Sequence, residues 1–290
     1  MSPTSHIMAR MYRGRFAPSP TGPLHAGSLV AAVASFLDAQ TAQGFWHIRI
    51  DDIDPPREVA GAARDIIKCL QLHGLVSDTQ PIFQHNNTDI YQRAIESLIR
   101  SGAAFTCRCT RHQLGPEGIC IEDGAHIGTS AEAVSVRIKV PADTLITFDD
   151  LILGSQNYPL GKTLPNFIIK RRDGLIAYQL AAAVDDGSNG ISHVIRGADL
   201  SSSTPRQIYL QQLLKLTTPA YGHLPIVTGH DGHKLSKQTG AVALDVSDAG
   251  ANLRAALGVL GQPIPALSLN DPSTILAWAS QNWDRKRIPR

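Results

Sequence analysis

Apolar positions along this chain alternate between two periods. Strand-like runs, RGRFAPS and FWHIRIDDI, are each followed by stretches with helical spacing, LVAAVASFLDAQTAQ and GAARDIIKCLQLHGL. That is the βαβ pattern of a parallel sheet covered by helices, hence an α/β fold. The spacing predicts a helix over Leu29–Gln43 stopped at Gly44, and another over Thr88–Gly102 with Ile90, Tyr91, Ile95, Leu98 and Ile99 as core contacts. From Ala104 the pattern changes to short strand-like pieces, cysteine-bearing turns and the alternating VSVRIKV, which predicts an insertion between two halves of the sheet. NFIIKRRDGLIAYQLAAAVDD reads as a strand, a turn at Asp173-Gly174 and an apolar segment, and HVIRGADL as another buried strand. A helix starts near Ser203–Thr204 with Pro205 in its opening turn, and PIVTGHDGHKLSKQTG is a strand followed by a loop. Two further helices, Ala249–Leu260 and Pro272–Trp283, the second capped by Asp271, come last.

The expected organisation is a disordered leader over residues 1–14, the first half of the sheet domain over 15–105 and an inserted subdomain over 106–165. The second half then occupies 166–240, and a C-terminal helical region 241–290. A hydrophobic content of 43% supports a real core. No run of 18 apolar residues exists, and MSPTSHIMARMYRGR lacks the apolar centre of a signal peptide, so the expectation is a cytoplasmic protein with reduced cysteines. Met8 or Met11 is an alternative start. Lys plus Arg number 27 against 25 acidic residues, a net +2 too small to announce nucleic acid. Local patches must serve instead, and Lys170-Arg171-Arg172 and Arg285-Lys286-Arg287 are candidates, with solvated surface as the alternative for each.

Three segments carry candidate chemistry. In RFAPSPTGPLHAGS, Arg15 to Ser28, three prolines and two glycines shape a rigid loop that leads into a helix. This presents backbone N–H groups and His25 at a helix mouth, a natural anion site; the alternative is a plain turn with a capping histidine. RIDDIDPPR, Arg49 to Arg57, and KLSKQ, Lys234 to Gln238, follow. Separately, Cys107 and Cys109 form C-x-C, with Cys120 eleven residues on and His126 six beyond. These are four ligands for a structural zinc ion, or else ordinary reduced cysteines, with His112 and Asp123 in reserve. Cys69 lies in a helical pattern and reads as a small buried hydrophobe.

Taken together, the first three segments resemble, in order and separation, the signatures of class I aminoacyl-tRNA synthetases of the glutamyl and glutaminyl branch, and span most of residues 15–240. Full-length members continue into a helical anticodon-binding region, whereas this sequence stops at Arg290, so it is most similar to a truncated paralogue of glutamyl-tRNA synthetase. The resemblance implies a Rossmann-like parallel sheet with an inserted zinc-binding subdomain and a short C-terminal helical region. It implies an ATP-dependent ligase, with Mg2+ accompanying ATP, that forms glutamyl-adenylate from L-glutamate. The acceptor implied is the queuosine base in the anticodon of tRNA(Asp), and a monomer with no membrane contact is expected.

By the same resemblance, His25 and Lys237 are catalytic, and His25, Gly27, Ser28, Lys234, Ser236 and Lys237 bind ATP. Arg15, Phe16, Ala17, Pro18, Ser19, Asp51, Tyr178 and Arg196 bind glutamate, and Cys107, Cys109, Cys120 and His126 hold Zn2+. Several positions depart from the family pattern. Leu235 and Gln238 replace a methionine and a serine of the lysine motif, Ser28 replaces a second histidine, and Asp51 stands where the paralogue has glutamate. Cys120 falls near an expected tyrosine ligand and His126 near an expected cysteine. Arg196 has a structural alternative, an ion pair with Asp199 or Asp185, while Asp52 and Asp54 read as supports for the turn closed by Pro55-Pro56-Arg57. Rival functions are a truncated tRNA(Glu)-charging synthetase with a separate anticodon-binding partner, a non-catalytic tRNA-binding module, and a small-molecule adenylylating enzyme.

Overall fold

A computed structural model describes residues 11–109, 111–115, 118–120, 134–225 and 244–290. Lys234, Ser236, Lys237, Asp123 and His126 lie outside them. The amino-terminal half runs β1 (Arg13–Phe16), α1 (Ala26–Thr41), β2 (Phe45–Ile50), α2 (Ala62–Leu72), β3 (Ile82–Phe83) and α3 (Thr88–Arg100). Then come β4 (Ala104–Cys107), β5 (Ser135–Lys139), β6 (Ile146–Asp150), β7 (Gly154–Tyr158), the single turn α4 (Leu160–Thr163) and β8 (Asn166–Lys170). The remainder is α5 (Tyr178–Ser188), β9 (His193–Gly197), α6 (Thr204–Leu213), β10 (Ala220–Leu224), α7 (Ala249–Val259) and α8 (Pro272–Asn282).

The two predicted βα units close as parallel pairs, with β1 beside β2 and β2 beside β3. A second parallel pair joins β9 to β10. The Ser192 N–H donates to the Arg13 carbonyl at 2.9 Å, which sets β9 beside β1. The strand order is therefore β3–β2–β1–β9–β10, and it reverses direction between β1 and β9. In open α/β sheets such a switch point leaves a crevice beyond the carboxyl ends of the strands, where ligands bind. The antiparallel pieces are separate: β4–β5–β8 form one sheet and β6–β7 a hairpin. Thus β8 hydrogen-bonds to the segment read as the insertion, across the expected boundary at 165/166.

Helix α1 starts three residues earlier than its apolar run suggests, because His25 caps it. Its alanines Ala32, Ala34 and Ala39 are fully buried, and the core on that side joins Trp46, Ile48 and Ile50 of β2 to Leu253 and Leu257 of α7. Gly44 is obligatory at the turn into β2, since a Cβ there would lie 2.4 Å from the Tyr12 carbonyl oxygen. A second core gathers Tyr91, Ile95 and Leu98 of α3 with Ile138, Phe167 and Leu180. Ile99 is a correction: it is 41% exposed, because the helix turns that flank outward. The apolar segment after Asp173-Gly174 is a helix, α5, whose Leu180–Val184 run is buried on all sides.

The basic clusters are largely committed to structure. Arg285 donates to both oxygens of the buried Asp38 at 2.9 and 2.7 Å, and Asp38 also accepts from Tyr12 and Trp283. Arg171 pairs with Asp54 and Asp173, and Lys170 donates to Gln92.

Candidate active site

A cavity of about 370 Å³ opens at the switch point. On one side it is walled by Arg15 through Ser19, which continue from β1, and by His25, Gly27 and Ser28 at the start of α1. Tyr178 at the first turn of α5 and Ile195–Gly197 at the end of β9 close the other side. The proline-rich loop between β1 and α1 is braced from outside: the Asp51 N–H donates to the Pro18 carbonyl and the Val59 N–H to that of Pro20, each at 2.9 Å. RIDDIDPPR therefore supports the loop as well as supplying carboxylates.

His25 is both a cap and a cavity wall. Its Nδ1 accepts from the Ser28 N–H at 3.3 Å, so the ring hydrogen sits on Nε2 and donates to Ser28 Oγ at 2.9 Å. Ser28, standing in place of a second histidine, thus fixes the tautomer of the first. The capping alternative is realised, and it leaves the imidazole at the helix N-terminus, beside free backbone donors and the positive end of the dipole.

Under this loop lies a cluster of five buried charges. Arg15 forks onto Asp186 at 3.2 and 3.1 Å, and Arg49 reaches Asp186 at 2.6 Å and Asp51 at 2.7 Å. Asp185 takes neutral donors instead, from Gln84, Asn87 and Tyr91, with Arg49 3.8 Å away. Two guanidiniums serve three carboxylates. Burial works to raise the Asp186 carboxyl, but Arg15 and Arg49 outweigh it and hold it at about 2. For Asp51 burial wins over Arg49, and the carboxyl is pushed up. Asp51 holds Arg49 on both of its oxygens, at 2.7 and 3.4 Å. It faces an adjoining cavity of about 410 Å³ that shares Ala17, Ser19, Thr21 and Tyr178 with the first.

Arg196 is the complement. Only 4% exposed, it donates to the Tyr178 hydroxyl at 3.3 Å, Thr204 Oγ1 at 2.7 Å and His223 Nε2 at 3.3 Å, and lies 5.2 Å over the Tyr221 ring. None of these partners is a carboxylate, and Asp185 is occupied elsewhere, so among the described residues the ion-pair alternative for Arg196 is not realised. A buried cation with no counter-ion at a cavity wall is a site for an anion. A Cβ at Gly197 beside it would meet Asp199 Oδ1 at 2.4 Å, so a larger residue there would push that carboxylate aside.

All the candidate glutamate residues except Asp51 therefore line one cavity together with His25, Gly27 and Ser28, and Asp51 lies across a shared wall. Arg49, Asp186, Thr204 and His223 were missed by sequence reasoning. Arg49 alone signalled itself, as a charge within the apolar strand FWHIRI, where burial demands a partner. Asp54 does hold the Pro55-Pro56-Arg57 turn, by accepting from Arg57, but Asp52 is engaged elsewhere and accepts from the His85 backbone at 3.0 Å.

At the end of β4, Cys107, Cys109 and Cys120 bring their sulfur atoms within 4.8 Å of one another. Cys109 and Cys120 are 3.5 Å apart and unbonded. Burial together with the neighbouring thiols pushes Cys109 up to about 12. At Cys107 burial is outweighed by hydrogen bonds from Cys109 and Cys120, and the thiol is held below its usual range. Three sulfur donors converging at this spacing, walled by Phe105 and Leu114, suit a tetrahedral thiophilic ion that takes one further ligand.

A switch-point cavity walled by a helix N-terminus, with the motif KLSKQ in the sequence beyond β10, is the setting that the class I synthetase signatures call for. Residues 11–118 and 119–257 match the family of class I tRNA synthetases (E and Q), catalytic domain, and the chain belongs to that family. It is 45% identical over 285 residues to the glutamyl-Q tRNA(Asp) synthetase of Pseudomonas aeruginosa, covering 98% of this chain and 97% of that protein. It is 47% identical to the protein of the same name from Thiobacillus denitrificans, covering 95% and 94%. Among solved structures it superposes on the glutamate-tRNA synthetase of Elizabethkingia anophelis with a TM-score of 0.78 at 23% identity. That match covers 96% of this chain, which spans about two thirds, 66%, of the length of that structure.

Proposed function

We propose that this protein activates L-glutamate with ATP and transfers it from glutamyl-adenylate to the queuosine base in the anticodon of tRNA(Asp). The observation that carries the amino-acid half is Arg196, a buried guanidinium at the cavity wall without a carboxylate partner among the described residues. It receives the side-chain carboxylate of glutamate and rejects glutamine, whose neutral amide would leave the cation unpaired. Asp51, on the wall of the adjoining cavity, takes the ammonium group, and Tyr178, which lines both cavities, stands between the two. Arg15 works through Asp186, fixing the loop of Phe16, Ala17, Pro18 and Ser19 against which the amino acid lies.

ATP, carried with Mg2+, enters beside Gly27, and its phosphates meet His25, Ser28 and the N–H groups of α1. Lys234, Ser236 and Lys237 supply cations and a hydroxyl to the phosphates as the α-phosphorus is attacked by the glutamate carboxylate and pyrophosphate leaves. The charge in transit on phosphate oxygens is what Lys237 and the helix donors stabilise. Zn2+ held by Cys107, Cys109, Cys120 and His126 orders the inserted subdomain over 106–165 and takes no part in the chemistry. The acceptor follows from the name shared by relatives aligned with this chain over nearly their full length. The enzyme acts as a monomer in the cytoplasm, where its tRNA is; no helix among the described residues is long and apolar enough to cross a membrane.

Glutamate-dependent ATP–pyrophosphate exchange without tRNA, followed by transfer of labelled glutamate to tRNA with and without queuosine, tests this. Nuclease mapping should place the label in the anticodon. Label on the terminal adenosine, or equal transfer to tRNA lacking queuosine, would refute the acceptor and favour a tRNA(Glu)-charging enzyme. Absence of glutamate-dependent exchange would refute the activation.

A further inference from the structure

Arg196 is held in place by a chain of groups that reaches a different part of the fold. A guanidinium only donates, so His223 Nε2 and Thr204 Oγ1 must each turn a lone pair toward it. Thr204 Oγ1 also lies 2.9 Å from the same histidine nitrogen, and because that nitrogen accepts from Arg196 it carries no hydrogen, so the hydroxyl donates to it. The single lone pair of Nε2, shared between Arg196 and Thr204, is available only when the ring hydrogen is on Nδ1. Nδ1 lies 2.5 Å from Asp150 Oδ2, at the end of β6. The other oxygen, Asp150 Oδ1, accepts from the backbone N–H groups of Ile152 and Leu153 at 2.9 Å each and of His223 at 3.2 Å. The His223 and Asp150 side chains are 1% and 0% exposed, with Tyr221 stacked on the imidazole at 6.3 Å between centroids.

We infer that Asp150 and His223 are positioning residues for the amino-acid site: Asp150 fixes the tautomer of His223, and His223 thereby presents the lone pair that aims Arg196 into the cavity. The inference rests on the proposed role of Arg196 as the partner of the glutamate carboxylate. The rival is a purely structural pair that pins the β6–β7 hairpin to β10. The two differ in what they ask of the ring. Pinning needs only a hydrogen bond at Nδ1, of either polarity, whereas positioning needs an acceptor at Nε2.

Asp150→Asn separates them. It keeps the shape and the Oδ1 acceptor for three backbone N–H groups, but turns an amide donor toward Nδ1 and drives the ring hydrogen to Nε2, against the Arg196 donors. NMR of protein carrying 15N-labelled histidine should show His223 exchange its Nδ1–H tautomer for Nε2–H. In ATP–pyrophosphate exchange the KM for glutamate should rise about ten-fold or more, the cost of a charge-assisted hydrogen bond, with the KM for ATP within about two-fold of wild type. Adding His223→Gln should bring the glutamate KM back to within about three-fold, since the amide oxygen accepts at the Nε2 position and has no tautomer to lose. An unchanged glutamate KM in Asp150→Asn, or an equal rise in the ATP KM, overturns the assignment. Should Asp150→Asn melt below assay temperature, His223→Gln against His223→Leu carries the same contrast, and equal glutamate KM values for those two overturn it. Wild-type protein without glutamate-dependent exchange would instead refute the proposed function, and the NMR tautomer is read independently of it.

Discussion

Replacing Arg196 by methionine separates what this residue does for the substrate from what it does for the fold. Met matches the length of the arginine stem and is accommodated in irregular cores, so the change removes charge and donors with little change in volume. The missing interaction is a desolvated guanidinium–carboxylate pair, and breaking such a pair costs about 3–5 kcal/mol. At about 1.4 kcal/mol per factor of ten, kcat/KM for glutamate should fall by roughly 100- to 3,000-fold. Stability should behave differently. The free protein buries this cation among a tyrosine, a threonine and a histidine with no carboxylate in direct contact among the described residues, so its removal relieves a desolvation penalty. Thr204 and His223 remain hydrogen-bonded to each other, and Tm should stay within about 3 °C of wild type. Exchange kinetics as a function of glutamate and of ATP, with a thermal melt, measure all three quantities. Wild-type kcat/KM for glutamate would remove Arg196 from the site; a Tm lowered by ten degrees or more, with parallel losses in both substrates, would make it a structural residue.

Lys237→Ala should reduce the rate of glutamate activation far more than it weakens glutamate binding, by about 2–4 kcal/mol in the barrier, and unchanged exchange in a folded variant would exclude the lysine from phosphate chemistry. Elemental analysis should find one zinc per chain, lost in Cys107→Ser; protein that cannot take up zinc yet is fully active would reduce the cluster to ordinary thiols. Asp186→Asn should show a pH-dependent cost. The Asp186 carboxyl is held at about 2, below its unfolded value, so its stabilisation is complete above pH 4 and disappears as pH falls through 2. The gap in Tm between wild type and variant should therefore close across that window, and a gap independent of pH contradicts the pairing.

Regular elements were legible because periodicity is local. The helices over 88–100, 249–259 and 272–282 end within two residues of the expected limits, and Asp271 caps the last as expected. The rigid loop and His25 were legible because proline and glycine announce backbone geometry directly. Pairings across the chain were not. Arg15 and Asp186 are 171 positions apart and Asp150 and His223 are 73, and no spacing rule connects them before the sheet closes. Asp185-Asp186 ends an apolar helical run whose alanines carry on the buried face, so it looked like the edge of an element when it is the floor of the site. Ile99 misled in the opposite sense, fitting the helical spacing of a face that points to solvent.

The five-charge cluster beneath the loop has a consequence for anyone who wishes to retarget this scaffold by directed evolution. Arg15, Arg49, Asp51, Asp185 and Asp186 come from two strands, the loop after the second and one helix, and each arginine answers to a carboxylate that another residue also uses. A library that varies one of these codons at a time strands a buried charge in most clones, and the stability lost masks their substrate preference. Productive variants lie at the far side of a valley, reached by exchanging the set together. Arg196, Tyr178 and Asp51's open flank are where single steps remain passable, so selection for a new amino acid should accumulate its first changes there.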